Sequence, residues 1–323
     1  MEHVAALTAE LLETDRTAGA RRAAPAALRA VCSVECAASA GRPLRTASAA
    51  ERSALMELFE VAAWILFDAE QHGTSRRLSR RALALARTLP EESRSVELLV
   101  LSVLCLQAAH LGRPADSLRM SSSVLARRDL PGRVAAVFHV REARAQAQLR
   151  RRQGAVRSLT TARELLADGP SERDPSWTWW FDRAELDGHH GLALADLGDL
   201  DGAASLLHGA TAAGDAPAYR SLFSTELASV LARAGAWRDT DALLSGLVES
   251  VPDIGSVRAL GALVRTVRLI ERGPRVPRAL RDTGRDLAEA LREESRPDPR
   301  VPCGPAAVRW SPGSATRPCE EGL

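Results

Sequence analysis

Four short stretches of this 323-residue chain carry side chains that could do chemistry. His189 and His190 are adjacent, Cys32 and Cys36 stand four residues apart, residues 176–181 read SWTWWF, and residues 75–81 read SRRLSRR. A metal ion needs ligands that converge on one point. Adjacent residues on a helix point about 100° apart, and no His or Cys follows the pair at i+3 or i+4. The sequence therefore predicts no metal site at His189-His190. The other cysteines, Cys105, Cys303 and Cys319, make no CxxC pair with the first two. An odd count without paired spacing suits reduced thiols, and Cys32 and Cys36 are read as small core residues. Trp177, Trp179 and Trp180 offer large rigid contact area, which suits a binding surface or the filling of a gap between helices. The second reading is preferred. The SRRLSRR run reads as a solvated helix face, with a phosphosite or nucleic-acid patch as the alternative. No GxSxG, P-loop or HExxH motif occurs. The expectation is a protein that is not an enzyme, with no catalytic, cofactor-binding or metal residues and no cofactor.

Composition narrows the partners. All 43 basic residues are Arg, against 41 acidic ones, for a formal net charge of +2. A nucleic-acid domain concentrates a basic excess on one face, and direct nucleic-acid binding is not expected. The hydrophobic 46% is carried by Ala and Leu, with aromatics at 4%, which disfavours a β-rich fold. No basic-then-apolar leader opens the chain, and no apolar run approaches the ~18 residues that span a bilayer. A cytoplasmic protein without a membrane partner is expected.

The elements must then be helices. Val4, Leu7, Leu11 and Leu12 share one face of a first helix, and Pro25 is read as opening a second, so residues 1–50 form a helical cap. From residue 51 the apolar stripes fall into pairs, with turns at Glu70, Gly112, Arg150, Gly198 and Gly235. Helical segments over 255–271 and 277–294 close the last pair, completing an array over 51–295. Residues 296–323, rich in Pro and Gly, read as a disordered tail.

The best-formed pair is Ala184–Pro217. Gly191, Leu194, Gly198, Ala203, Leu207 and Ala210 fall where the 34-residue tetratricopeptide pattern places its small and apolar residues. The other turns are more widely spaced, so the repeats are degenerate. The segments AAWILFDAEQHG, LCLQAAHLGRPADSL, FHVREARAQAQLRRRQGAV and WTWWFDRAELDGHHGLALADLGD resemble the tetratricopeptide-like region of actinomycete Cro-repressor-type helix-turn-helix transcriptional regulators. The resemblance covers roughly residues 1–295. It implies an all-α fold, a right-handed α-solenoid of about five degenerate tetratricopeptide-like helix pairs with helical caps. It also implies a regulatory protein-interaction module in transcription or development, acting through its concave groove. The partner would be a protein or peptide, with a small signalling molecule as the alternative ligand and a homodimer as the self-associated form. Residues 1–50 are too short and too poor in polar recognition residues to hold the helix-turn-helix. DNA binding would therefore require such a domain encoded upstream.

The repeat register yields two sets of candidate residues. Positions that are ordinarily apolar and buried hold His139 and Glu142 in the third pair and Asp187 and His190 in the fourth. Buried charges must be paired, so the four are expected to meet in a polar network between the pairs. The concave-face positions implied by the resemblance include Glu60, Trp64, Arg144 and Gln148, followed by Glu185, Asp196, Ser229 and Arg233. Their mixed charge suits an extended peptide held by charge-assisted hydrogen bonds.

Overall fold

A computed structural model describes residues 2–40, 47–90, 95–211 and 220–294. Within them the protein is all-α, with fourteen α-helices and no strand. Two helices, α1 (Glu2–Ala18) and α2 (Ala20–Ala40), lead into five hairpins. These are α3 (Ala49–Asp68) with α4 (His72–Ala86), α5 (Ser95–His110) with α6 (Pro114–Leu125), and α7 (Gly132–Gln148) with α8 (Arg152–Ala167). The last two are α9 (Arg183–Leu197) with α10 (Leu200–Thr211), and α11 (Ser221–Ala234) with α12 (Trp237–Ser250). Helices α13 (Val257–Arg272) and α14 (Arg278–Glu294) end the described chain. The predicted tail at 296–323 lies outside the described residues.

All five turns expected from the sequence use one device. Glu70, Gly112, Arg150, Gly198 and Gly235 have φ of 57°, 68°, 61°, 86° and 74°. In each hairpin the next N–H reaches back to a carbonyl near the helix end: Gln71 to Leu66, Arg113 to Ala108, Arg151 to Gln146, Asp199 to Leu194, Ala236 to Leu231. The turn residue's own N–H bonds the carbonyl three residues earlier in every case. This is the Schellman arrangement, which satisfies the last helical carbonyls and reverses the chain.

Consecutive helices from α1 to α12 pack on one another, as do α13 and α14, and the first helices of the hairpins also pack in succession, α3 on α5, α5 on α7, α7 on α9, α9 on α11, and α11 on α13. Gly191 on α9 is where close approach is enforced. A Cβ there would lie 2.8 Å from Leu207 Cγ and 3.1 Å from the Ala203 carbonyl oxygen. Helix α3 is wrapped by α1, α2, α4 and α5, and every residue from Leu58 to Ala63 is buried.

The two ends of the described chain also meet. Gly19 and Gly255 touch backbone to backbone, so that a Cβ on Gly255 would stand 2.6 Å from Gly19 Cα. The Arg21 N–H donates to the Gly255 carbonyl at 2.9 Å, and the Arg21 side chain pairs with Glu294. Deeper in, Asp68 Oδ1 accepts from Arg258 Nε at 2.6 Å and from Ser256 Oγ at 2.9 Å. Asp68 and Arg258 are both buried, and the guanidinium lies 4.5 Å from the Phe67 ring centroid. The row of first helices thus returns from α13 to α3.

Two sequence readings of the N-terminal cap are corrected. Pro25 does not open α2 but lies inside it. The N–H groups of Arg22 and Ala23 bond the Gly19 carbonyl, so the helix starts at the break made by Gly19, φ 75°. Cys32 and Cys36 are exposed, whereas Cys105 is buried. The buried stripe of α2 runs through Ala20, Ala23, Ala24, Ala27, Ala30 and Val31, and this leaves the cysteine face outside.

Two outcomes follow for stability. A non-glycine residue in the left-handed region costs roughly 1–2 kcal/mol. Glu70→Gly and Arg150→Gly should therefore each stabilise the fold by about 1 kcal/mol in urea denaturation, reduced by what the native side chain itself contributes. Removing one partner of a buried ion pair costs about 3–5 kcal/mol, whereas replacing both by apolar residues is far less costly. Arg258→Leu should therefore lower stability by that amount, and adding Asp68→Leu should recover much of it.

A candidate functional site on the inner helices

The C-terminal ends of α7, α9 and α11 converge. Arg144 on α7 is in ionic contact with Asp196 on α9. Arg233 donates to the Ala195 carbonyl at 2.8 Å, and Arg150 donates to the carbonyl of Asp196. Arginines at a helix C-terminus complement the negative end of its dipole. Not every polar group here is satisfied. Gln148 Oε1 is buried without a hydrogen bond, whereas Arg144 Nε and Asp196 Oδ2 face each other as an ion pair. Further round the same row, Arg265 on α13 pairs with Glu226 on α11 at 2.8 Å.

Four residues expected in the groove, Arg144, Gln148, Asp196 and Arg233, belong to this cluster. The other four do not. Glu60, Glu185 and Ser229 are buried because their helices are covered on more sides than one open groove wall allows. Trp64 is half-buried and donates from Nε1 to Asp15 Oδ2 at 3.2 Å.

The expected network of His139, Glu142, Asp187 and His190 does not form as one unit. His139 and Glu142 approach each other at 3.6 Å, and Glu142 accepts from Ser122 and Ser158. Asp187 pairs with Arg183 at 2.7 Å, and His190 faces Arg163. All four are only half-buried. The buried network between these pairs is built from neighbouring positions. His189 Nε2 lies 3.1 Å from Arg141 Nη1 and 3.2 Å from Glu185 Oε1. Arg220 contacts Glu185 at 3.4 Å and donates to Asp182 at 2.8 Å. Arg141 also lies over the Trp180 ring, and His189 stands edge-on to Phe223. The repeat register thus falls one or two residues away from the helix face that is actually inward.

The SWTWWF block forms a short 3₁₀ turn, Ser176–Trp180. Trp177 donates to the Ser95 carbonyl at 3.1 Å, and Trp180 packs edge-on to Phe181. Trp179 is 68% exposed. The block therefore fills the junction with two indoles and presents the third to solvent. On α4, Arg76, Arg77, Arg80 and Arg81 line a surface hollow of about 470 Å³, with Arg81 paired to Glu35 and lying over Phe59.

One cluster has no local sequence signal. Glu70, His72 and His110 bring their ligand atoms within 4.8 Å of one another. His72 and His110 belong to different hairpins, and only the stacking of α3–α4 on α5 joins them. Their position beside two successive turns is the one clue the sequence offers.

Burial sets the protonation of three groups away from this cluster. It raises Glu60 to about 8, with Glu57 adding to the effect. It raises Asp15 to about 7, reinforced by Asp68 and opposed by the Trp64 hydrogen bond. It lowers His189 to about 4 against the pull of Glu185. A carboxyl raised in the fold holds a proton that the unfolded chain has lost, so stability falls as pH climbs from its unfolded to its folded value. A lowered histidine acts oppositely, losing stability as pH drops below about 6.5. Above about pH 6.5 only the carboxyls act. The melting temperature should fall between about pH 6.5 and 8, and Asp15→Asn with Glu60→Gln should flatten that fall in a thermal-denaturation series. No protein-family model matches this sequence, and no curated protein matches it either.

Proposed function

We propose that the chain is a degenerate tetratricopeptide-like solenoid serving as a protein-interaction module in regulation. An extended peptide, or the end of a partner helix, is held on the inner ends of α7, α9 and α11. The repeat reading is supported by five hairpins that share one capped turn at positions 70, 112, 150, 198 and 235. The binding reading is carried by one observation, the hydrogen-bonding capacity left unfilled at Gln148 Oε1 beside the Arg144–Asp196 ion pair. A buried polar atom without a partner is costly, and an N–H group of a peptide backbone would supply what is missing. The regulatory setting comes from the resemblance to actinomycete regulators. Among the described residues no helix is long and apolar enough to cross a membrane.

The test is a pull-down from the native cytoplasm with Gln148→Ala, which removes an unfilled acceptor without breaking an ion pair, and with Arg144→Ala/Gln148→Ala. Weakening of partner capture by about tenfold, the effect of one lost hydrogen bond to a buried group, is expected, with the melting temperature of Gln148→Ala unchanged. Undiminished capture by both variants would overturn the inner-face reading. Loss with Trp179→Ala alone would move the interface to the exposed indole.

A further inference from the structure

We infer that Glu70, His72 and His110 form a binding site for a zinc-class divalent transition metal, with solvent or a ligand completing the coordination. Two imidazoles and a carboxylate are the donor set that this class of ion takes, and three protein ligands leave a fourth tetrahedral position open. The site is independent of the binding role proposed above.

The geometry is convergent from three directions. Glu70 occupies the capped turn after α3, His72 begins α4, and His110 ends α5. His110 Nε2 lies 3.5 Å from Glu70 Oε1, and the two imidazole centroids are 5.4 Å apart. The donor atoms already fall within 4.8 Å of one another, so small side-chain rotations bring them to the ligand distances of about 2.0–2.2 Å that zinc requires. Phe67 stands against both rings, at 5.7 Å from His72 and 5.6 Å from His110, and restricts their orientation. His72 Nδ1 is buried without a hydrogen-bond partner. Burying such a nitrogen is unfavourable, and a metal bond would offset it.

The surrounding charge does not forbid a cation. Arg258, Arg265 and Arg144 lie near His110, but each is matched by its own carboxylate, Asp68, Glu226 and Asp196. Glu70 offsets the half-buried Arg76 that faces His72. Across the gap, α13 presents Gly261, where a Cβ would come to 3.6 Å from Glu70 Oε1. The Arg265 guanidinium, 3.7 Å from the same point, borders that side and is turned to Glu226. The α4 arginine hollow is the other candidate for a site, but its arginines form an open surface with no buried, unfilled polar group pointing to a ligand.

The turn supplies a direct test. Glu70→Gly deletes the carboxylate at a position where glycine is the favoured residue, so loss of metal cannot be put down to loss of fold. Co²⁺ is titrated into the full chain carrying Cys32, Cys36, Cys303 and Cys319 as Ser, followed by Zn²⁺ displacement. One ion per chain is expected, with visible ligand-field absorption and no thiolate charge-transfer band. Glu70→Gly and His110→Ala should each weaken Zn²⁺ binding by at least about tenfold, on the scale by which even outer-shell partners alter metal affinity, and Arg150→Gly should leave it unchanged. Equal uptake by His72→Ala/His110→Ala and by the parent, or no uptake by the parent, would overturn the site. Loss in His110→Ala with none in Glu70→Gly would overturn the carboxylate's place in it.

Discussion

Each first helix of a hairpin in this protein has to reverse within a few residues, and the left-handed residue after its end makes that possible. Where the position is Gly112, Gly198 or Gly235 the conformation is free of Cβ strain. At Glu70 and Arg150 it is not. These two positions have something in common besides φ. The Arg150 side chain reaches the α9 terminus at the Asp196 carbonyl, and the Glu70 carboxylate faces His110. In both places the chain tolerates a backbone cost of roughly 1–2 kcal/mol and fixes the starting point of a polar side chain that spans to the next inner helix. Strain of this kind persists only when neighbouring structure over-determines it, and here the repeated hydrogen bonds of the turn do so.

The contact of Asp68 with Arg258 changes what the inner face can be. A row of helices stacked only on neighbours is open at both ends. Here α13 is held to α3 across 190 residues of sequence, and the Gly19–Gly255 approach holds the outer edge. Inner-face residues are consequently surrounded on more sides, which is why Glu60 and Ser229 are packed away. At the helix ends, carbonyls of α9 meet the side chains of Arg150 and Arg233.

Much of the architecture is legible in the sequence. Turn residues interrupt the apolar stripes, and an αL cap favours Gly, so the breaks at 112, 198 and 235 announce themselves; those at 70 and 150 show only through the stripes on either side. Side-chain placement is less legible. Because the spacing between turns varies, a register carried from one pair to the next drifts by a residue. On a helix one residue is about 100°, enough to exchange His190 for the buried His189. The Asp68–Arg258 pair leaves no periodic trace at all, since nothing local links two positions so far apart. Its one sequence signal is the acid that follows the apolar run at the end of α3.

The chain's lack of lysine gives its buried charges a common logic. A buried lysine can lose its proton, whereas arginine keeps its charge in any protein interior. Each buried arginine must therefore find compensation on site. Arg258 has Asp68, Arg220 has Glu185 and Asp182, and Arg141 has the Trp180 face and the imidazole of His189. Carboxyls have another option. Asp15 and Glu60 are drawn toward their neutral forms by burial, because taking up a proton costs less than holding an uncompensated anion at low dielectric. Arginine thus dictates where the interior must be polar, while Asp15 and Glu60 make it sensitive to rising pH and His189 to falling pH.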